Sequence, residues 1–375
     1  MKVPIKWLRD YVQTPLSAEE LAHRLTMAGL EAERLARIGA EWDKVFVAEV
    51  RGVERHPDAD RLVLADVDAG EHRLTVVTGA PNIAASQKVA LALPGARLID
   101  GYAEGRQYRT LKPGMIRGVR SEGMVCSEKE LGLSDEHEGI LVLEPDAPVG
   151  SPLAEWLGDT VIEFEITPNL VHAFSIFGIA REAGAVTDRP VAPPQYAPLA
   201  DLVAPASDLV TIEAPALCAR YTGVVIDGVT VGPSPAWLSR RLLAAGVRPI
   251  NNVVDVTNYV MLDLGQPMHA FDRDRLGEGR IVVRRAASDE QLVTLDHQTR
   301  QLTPDMLVIA GASTAVALAG VIGGLDSEVT AETTTILLES ANFEMKSVRA
   351  TARRLGVRTE ASARFERGLD PNLVG

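Results

Sequence analysis

Cysteine is scarce in this chain, and only Cys126 and Cys218 occur among its 375 residues. The two lie far apart and lack the spacing of metal ligands, so the sequence predicts neither a disulfide framework nor a zinc site. Free thiols persist in a reducing compartment, and the cytoplasm is therefore the expected location.

Long hydrophobic runs are also missing. The opening residues, MKVPIKWLRD, contain no apolar core of a signal peptide. The longest apolar stretch, 307–325, is interrupted by Ser313, Thr314 and several glycines, which fits packed strands better than a membrane span. No membrane partner is expected. With 46% apolar residues the chain can still bury sizeable cores, and its length predicts about two to three domains.

Motifs of several enzyme classes are absent as well. The sequence has no HExxH pattern, and the absence of GxSxG and of a nucleophile elbow argues against a hydrolase with a covalent Ser or Cys nucleophile. The glycines of GVIGG, 320–324, fit a tight turn but lack the spacing of a Walker loop or a dinucleotide fingerprint. The net charge of −13 argues against unspecific coating of nucleic acid, while a local basic face remains compatible with it.

The first half of the chain predicts a helix followed by a β-rich module. Ser17 and Glu20 form a capping box that opens a helix over 17–29. Short β-rich runs begin at Val45 and are separated by turn residues at regular intervals. This alternation of short strand-forming runs and turn residues predicts a small antiparallel barrel or sandwich that ends near Pro148.

Beyond the module the sequence predicts a helix over 174–187 and then a linker, because residues 189–207 are rich in proline and alanine. A further helix is predicted between Pro235 and Gly246. Its apolar side is expected to carry Trp237, Leu238 and Leu242.

The following segment combines features of a strand and a helix. Its β-branched residues favour a strand, whereas Val253, Val256 and Val260 repeat at helical spacing after Asn252 as a possible N-cap. A helix is the preferred interpretation. Strands are then predicted at 280–285, 307–310, 315–319 and 335–338, with a last helix over 346–355 that ends at Gly356.

The most informative stretch is RPINNVVDVTNYVMLDLGQPMHAFD, 248–272, because it places many polar groups in an apolar segment. They are Asn251, Asn252, Asp255, Thr257, Asn258 and His269. An unpaired buried polar group costs roughly 1–3 kcal/mol, so such a cluster predicts a polar pocket. Glu339 follows another apolar run and is expected where a strand meets its loop. A histidine and a glutamate between apolar walls suit a small-molecule or ester-hydrolysing site; a structural histidine and a surface glutamate are the alternatives.

Two other segments are open to a structural or a functional interpretation. HPDADRL, 56–62, fits a turn followed by a strand, or a loop of an oligonucleotide-binding barrel. Residues 346–367 carry seven Lys or Arg against two Glu, a local charge of 7 − 2 = +5. This excess fits phosphate contacts or a solvated helix face with salt bridges.

Several motifs together resemble the beta subunit of bacterial phenylalanine–tRNA ligases. They are the 248–272 motif, LAGVIGG, LLESANF, RRLGVRTEASARFERGLDP, the N-terminal MKVPIKWLRDYV and the segment VTGAPN…VALALPGA. The resemblance runs over essentially the whole chain, and family members are roughly twice this length, so the chain resembles their N-terminal half. One departure is that Thr167, Pro168 and Asn169 lead into Leu170, Val171 and His172, where the family has Arg-Pro-Asp.

The resemblance implies an α+β multidomain fold. Residues 1–40 and 149–190 would form a small α/β domain, interrupted at 41–148 by an OB-fold tRNA-binding barrel. Residues 191–207 would be the linker, and 208–375 a mixed α/β domain that edits mischarged tRNA. Implied partners are tRNA(Phe), its tyrosine or phenylalanine moiety and an alpha subunit, in assemblies of two alpha and two beta subunits. ATP and Mg²⁺ belong to the full-length enzyme, and no cofactor is expected in this segment.

The resemblance also implies site residues. Thr257, Asn258, His269, Gly320, Glu339 and Ala341 match positions that line the family's editing pocket, and Arg248 joins the expected substrate-binding group. His269 would position a water or polarise the ester, while Thr257 and Asn258 would hold the amino group and the terminal ribose. Glu339 and a backbone N–H near Gly320 would bind the hydroxyl that distinguishes tyrosine.

Two competing functions stay open at this point. The first is a non-catalytic, tRNA-binding scaffold whose editing pocket is inactive in isolation, with the basic segment and the barrel as its binding surfaces. The second is a small-molecule binding protein with a His/Glu pocket.

Overall fold

The computed structural model describes residues 1–103, 105–196, 208–311 and 313–375. They form two compact units, one made of Met1–Arg34 with Ile162–Gly375 and the other of Leu35–Val161. Most of the predicted linker, 197–207, lies outside the described residues.

The secondary structure mixes helices and strands throughout the chain. The α-helices of the described ranges are α1 Ile5–Leu8, α2 Ala18–Met27, α3 Glu128–Leu131, α4 Leu153–Trp156, α5 Ile176–Thr187, α6 Ala236–Ala244, α7 Asn252–Leu264, α8 Met345–Leu355 and α9 Glu360–Phe365. Short 3-10 helices cover Val171–Ala173, Arg273–Arg275, Leu325–Ser327 and Pro371–Val374. None of the helices in these ranges combines the length and the apolar character of a membrane span.

The strands are given in chain order in three groups, which cover residues 2–99, 108–164 and 210–343. The first group is β1 Lys2–Pro4, β2 Ala32–Ile38, β3 Val45–Arg55, β4 Val63–Asp68, β5 Arg73–Thr78, β6 Lys88–Ala92 and β7 Arg97–Ile99. The second is β8 Tyr108–Thr110, β9 Gly114–Ile116, β10 Val119–Ser121, β11 Met124–Val125, β12 Val142–Leu143 and β13 Asp159–Phe164. The third is β14 Val210–Ile212, β15 Cys218–Asp227, β16 Met268–Asp272, β17 Ile281–Arg285, β18 Gln291–Val293, β19 Thr299–Gln301, β20 Leu307–Ala310, β21 Ala315–Leu318, β22 Ile322–Gly323 and β23 Thr335–Phe343.

Unit Leu35–Val161 is built on a six-stranded antiparallel sheet. The order is β11-β6-β3-β4-β5, and β12 also pairs with β6. The backbone N–H of Val77 in β5 donates to Ser121 Oγ at the end of β10, which leads directly into β11, so the sheet nearly closes on itself. Valine, alanine and leucine side chains of these strands fill two buried clusters. The predicted antiparallel, barrel-like module is therefore present, because alternating β-branched residues can bury one face of each strand.

In the other unit, residues 208–375 hold two larger sheets and the two-stranded antiparallel sheet β18-β19. Five strands are ordered β14-β17-β20-β21-β22, and three antiparallel strands are ordered β15-β23-β16. One cluster of buried residues joins them, with Phe271, Leu337 and Phe343 from the three-stranded sheet and Val308 and Leu318 from the larger one. The helices of this region, α6 to α9, complete a mixed α/β unit.

Local sequence signals predicted several elements correctly. Ser17 and Glu20 make the expected capping box of α2, and α8 ends at Gly356 in the left-handed conformation (φ +66°). The predicted helices 174–187 and 235–246 correspond to α5 and α6. Strand β20 covers the predicted residues Leu307–Ala310.

Other expectations were wrong in detail. Asn251, rather than Asn252, caps α7, because the Asn252 side chain instead bonds Thr230 O and Gly232 N of the preceding loop. Val256 is 49% exposed, since the buried stripe of α7 runs through Val253 and Thr257.

Trp237 is also 47% exposed, because it lies about 100° around α6 from Leu238 and about 140° from Leu242, and these two leucines face the core. The largest correction concerns β23. This strand continues to Phe343, so Glu339 lies in its middle and not at a junction with a loop.

Candidate active site

Two neighbouring strands bring His269 and Glu339 together. In the antiparallel pair β16/β23, His269 lies directly opposite Glu339, and Phe271 lies opposite Leu337. Directly opposed residues project from the same face of a sheet, with Cβ atoms about 5 Å apart. Because Phe271 and Leu337 belong to the buried cluster, this is the core-facing side of the three-stranded sheet.

Glu339 is a buried carboxyl with one phenol bound to it. Its side chain is 6% exposed, and the hydroxyl of Tyr221 in β15 donates a hydrogen bond of 2.8 Å to Oε2. Burial raises the pKa of Glu339 to about 7, and the bond from Tyr221 opposes that rise. Burial and the nearby carboxylate raise the pKa of the Tyr221 phenol well above its ordinary value.

His269 presents an unpaired imidazole beside this carboxyl. The ring is half-buried, and its edge meets the Phe271 ring at 4.5 Å between centroids. Burial lowers the pKa of His269 to about 4, so the imidazole is neutral near pH 7. Neither ring nitrogen has a hydrogen-bond partner among the described residues. A neutral ring in this state can accept a proton at one nitrogen and donate at the other.

The glycine turn after β21 closes against this imidazole. A Cβ added at Gly323 would lie 2.8 Å from Cε1 of His269 and 2.9 Å from Nε2. Such distances are too short for a methyl group, so only glycine allows the backbone to approach the ring. The tight turn predicted for GVIGG is present at Gly320, where φ is +67°, and it brings the Gly323 backbone against His269.

Most of the polar residues before His269 serve the scaffold, which corrects the expectation of one polar pocket. Asn251 caps α7 through Val253 N and Val254 N, and Asn252 bonds the preceding loop. Asp255 is fully buried and accepts hydrogen bonds from Ile250 N at 2.8 Å and from Ser234 Oγ.

Thr257 and Asn258 differ from these residues and from each other. The Thr257 hydroxyl donates to Val254 O of its own helix at 2.7 Å. The Asn258 amide is half-buried and makes no hydrogen bond within the described ranges. No hydrogen bond among the described residues joins either side chain to His269 or Glu339.

The remaining predicted residues occupy three different places. Ala341 is fully buried on the same face as Glu339, opposite Tyr221, and its carbonyl accepts from Gln266 Nε2 at 2.8 Å. Gly320 has a φ of +67°, and a Cβ there would lie 3.0 Å from the Phe343 ring. Arg248 is exposed between α6 and α7. The structure thus gathers His269, Glu339 and Ala341 on one face and leaves Arg248 on the surface.

The sequence did not predict two residues that contact the His269/Glu339 pair, one on β15 and one on β22 of the larger sheet. Tyr221 lies 118 positions from Glu339 along the chain, so no local pattern connects them. The second, Gly323, belongs to a motif that was noticed but had no assigned neighbour.

The basic segment 346–367 does not form one surface. Arg364 is 0% exposed and lies over the Phe174 ring at 4.2 Å, where Arg367 also lies at 5.0 Å. In contrast, Arg354 is paired with Asp305 at the surface. The local charge excess thus combines buried packing with exposed ion pairs.

The divergent loop forms a surface turn. His172 lies in a 3-10 helix and contacts Glu182 Oε1 through Nε2 at 2.8 Å. No group of three His, Cys, Asp or Glu residues in the described ranges is arranged to hold a metal ion.

Sequence comparison shows which protein domains and relatives match the residues of this site. The profile of the B3/4 domain matches residues 217–375, which include Tyr221, His269 and Glu339. A profile described as a tRNA binding domain matches 45–152, the region of the nearly closed sheet. Over its whole length the chain is 51% identical to the phenylalanine–tRNA ligase beta subunit of Dehalococcoides mccartyi, across 379 aligned residues. The chain belongs to the family of phenylalanine–tRNA ligase beta subunits.

The family relationship extends to other bacteria and defines how much of the subunit is present. The beta subunit of Moorella thermoacetica is 50% identical over 385 residues and is likewise matched by 100% of this chain. The chain covers 46% of the first relative and 47% of the second, so it spans about half the length of these beta subunits. The resemblance inferred from the motifs is confirmed.

Proposed function

We propose that this chain is the part of a phenylalanine–tRNA ligase beta subunit that binds tRNA(Phe) and hydrolyses tyrosine wrongly attached to it. The observation that carries the proposal is the pairing of His269 with Glu339 across β16 and β23. One is a neutral imidazole without a hydrogen-bond partner among the described residues, and the other is a buried carboxyl that already accepts a hydrogen bond from a phenol. These groups match the two needs of such a site, which are ester hydrolysis and recognition of a hydroxyl.

Recognition of tyrosine would depend on Glu339. An apolar pocket built for phenylalanine rejects tyrosine by only about 100-fold, because the added hydroxyl is small. A second site that hydrogen-bonds the hydroxyl has the opposite selectivity. It binds tyrosine better than phenylalanine, because phenylalanine leaves a buried hydrogen-bonding group of the protein unpaired. Glu339 is suited to that role because it is buried and makes its one hydrogen bond through Oε2.

Hydrolysis would use water positioned by His269. Water adds to the ester carbonyl carbon, the carbon–oxygen bond to the ribose breaks, and the ribose oxygen takes up a proton. A neutral imidazole can accept the proton from water and return it to the leaving oxygen. Thr257 and Asn258 are assigned to the amino group and the ribose, and the Asn258 amide, which has no hydrogen-bond partner in the described ranges, is suited to such a contact. An aminoacyl ester is already labile, so orientation and a few hydrogen bonds suffice.

Deacylation of Tyr-tRNA(Phe) and Phe-tRNA(Phe) by the chain tests this function. The parent should release tyrosine faster than phenylalanine. His269→Ala should slow tyrosine release by about 100-fold, the usual contribution of a proton-transferring group. Glu339→Gln should reduce the preference for tyrosine. A parent that releases neither amino acid, or variants that match the parent, would contradict the proposal.

In the complete enzyme this chain would act beside other parts. We expect an alpha subunit as partner, in an assembly of two alpha and two beta subunits, and the synthesis of Phe-tRNA from ATP with Mg²⁺ to take place outside this segment. The cytoplasm is the expected location.

A non-catalytic tRNA-binding scaffold is the second candidate, and one observation favours it. Residues 105–120 are exposed at nearly every position and contain no Asp or Glu. Their basic residues are Arg106, Arg109, Lys112, Arg117 and Arg120. Tyr108 in the same segment lies under the Arg97 guanidinium at 4.4 Å, and exposed aromatic and basic groups suit nucleic-acid contacts.

Salt-dependent tRNA binding tests this surface. Lys112→Glu combined with Arg117→Glu should weaken binding and lower the slope of log affinity against log salt by about two, one for each lost phosphate contact. Lys44→Glu with Arg73→Glu changes the charge of the same unit equally and should leave that slope unchanged. Equal effects of both double variants would show that only net charge matters.

A further inference from the structure

Glu339 already holds a phenol that belongs to the protein. Tyr221 lies on β15 opposite Ala341, two residues along β23 from Glu339, and its side chain reaches across the face to Oε2 at 2.8 Å. Because β15 and β16 flank β23 on opposite sides, Glu339 lies between Tyr221 and His269.

This contact leaves one carboxyl oxygen open. Oε1 makes no hydrogen bond within the described ranges, and it is not among the unpaired atoms that are sealed from solvent. A carboxylate has acceptor capacity on both oxygens, so a second phenol can bind at Oε1 while Tyr221 remains at Oε2.

We propose that Tyr221 is a positioning residue that sets the tyrosine selectivity of this site by holding Oε2 of Glu339 and presenting Oε1 to the substrate's hydroxyl. The inference rests on the proposed editing function and adds a residue to it. Two physical effects carry it.

The first effect is orientation. A carboxyl fixed by one hydrogen bond loses little further rotational freedom when a second phenol binds, so recognition costs less entropy. Without Tyr221 the group could turn, and its oxygens would no longer point at a fixed position.

The second effect concerns the charge of the acceptor. Burial favours the protonated form of Glu339, and the Tyr221 hydrogen bond counteracts it by stabilising the carboxylate. An ionised Oε1 left unpaired against a phenylalanine ring costs more than a neutral one. Tyr221 therefore increases the penalty for phenylalanine as well as the gain for tyrosine.

Tyr221→Phe tests the inference, with the ratio of Tyr-tRNA(Phe) to Phe-tRNA(Phe) deacylation measured from about pH 5.5 to about pH 8.5. In the parent this ratio should rise as Glu339 ionises, through its pKa of about 7. In Tyr221→Phe the midpoint should move to higher pH, and the ratio at pH 7 should fall about tenfold, as expected for one hydrogen bond to a charged group.

Tyr11→Phe is the matched control. The Tyr11 hydroxyl donates to Asp263 at 2.6 Å, so this variant removes the same kind of phenol–carboxyl bond elsewhere in the unit. It should change neither the ratio nor the midpoint. If Tyr221→Phe merely slows both substrates equally and keeps the parent's midpoint, Tyr221 is structural and the inference is overturned.

A binding measurement separates this inference from the proposed function. If the parent fails to hydrolyse Tyr-tRNA(Phe), the editing proposal fails, and titration with free L-tyrosine and L-phenylalanine still tests the role of Tyr221. The parent should prefer tyrosine, and Tyr221→Phe should lose most of that preference. Equal preferences in the two proteins would overturn the inference.

Discussion

The polar side chains at the start of α7 and those on the paired strands β16 and β23 differ in how completely they are hydrogen-bonded. At the helix, the Asn251 and Asp255 side chains both have their acceptor oxygens occupied by backbone or hydroxyl donors. On the strands, His269 has no hydrogen-bond partner in the described ranges, and Glu339 has one. Both regions carry polar residues among apolar ones, so composition alone does not distinguish them.

The difference separates scaffold from site. A buried group whose hydrogen bonds are all made within the protein stabilises the fold and has nothing to offer a ligand. A buried group with unused hydrogen-bonding capacity lowers the free energy of unfolding. A ligand that bonds to this group can offset the loss. Removing a group from each region should therefore have opposite consequences for stability and activity.

The largest expected effect is on stability at α7. Asp255→Ala leaves the donors Ser234 Oγ and Ile250 N without their acceptor, and should lower the free energy of unfolding by about 4 kcal/mol. Asn258→Ala on the same helix removes an amide without a described partner and should cost less than about 1 kcal/mol. Urea unfolding of both variants measures the difference. Equal losses would contradict the claim that Asp255 stabilises the fold more than Asn258 does.

The next effect is a pH dependence of stability with opposite signs for His269 and Glu339. The pKa of Glu339 is raised from 4.5 to about 7, so between these values the folded protein holds a proton that the unfolded chain has released. Its contribution to the free energy of unfolding therefore falls as pH rises through that window. The pKa of His269 is lowered from 6.5 to about 4, so its contribution rises with pH between these values.

Single variants should uncover the two opposing slopes, which offset each other in the parent. In His269→Gln the free energy of unfolding should fall by about 3 kcal/mol from pH 4.5 to pH 7, owing to Glu339. In Glu339→Gln it should instead rise between pH 4 and pH 6.5, by a smaller amount because the imidazole is only half-buried. Denaturant unfolding across this range checks both. Parallel pH profiles in the two variants would contradict the assignment.

The sequence predicted those parts of the fold that depend on neighbours along the chain. The Ser17 capping box, the left-handed Gly356 and the β-rich runs after Val45 each act over a few residues. The length of β23 could not be predicted in this way, because its pairing with β15 and β16 comes from distant parts of the chain.

The candidate site was predictable in its members more than in its arrangement. The sequence shows His269 and Glu339 as polar residues in apolar surroundings, but their direct pairing across two strands depends on the sheet. Tyr221 gave no signal, because an alternating strand with one tyrosine is typical of any half-buried edge. The polar residues of α7 were wrongly predicted to form one pocket for a related reason. Their hydrogen bonds to loops that are distant in sequence cannot be inferred from composition.

The smallest expected effect concerns hydrogen bonds at the surface. Arg354 donates to Thr303 Oγ1 and to Asp305, so its hydrogen bonding resembles that of Asp255, but its side chain is 54% exposed. Water replaces these bonds at little cost, and exposed ion pairs contribute at most about 1 kcal/mol. Arg354→Gln should therefore change the free energy of unfolding by less than about 1 kcal/mol, and added salt should shrink the change further. A loss as large as that of Asp255→Ala would mean that satisfied hydrogen bonds stabilise this fold regardless of burial.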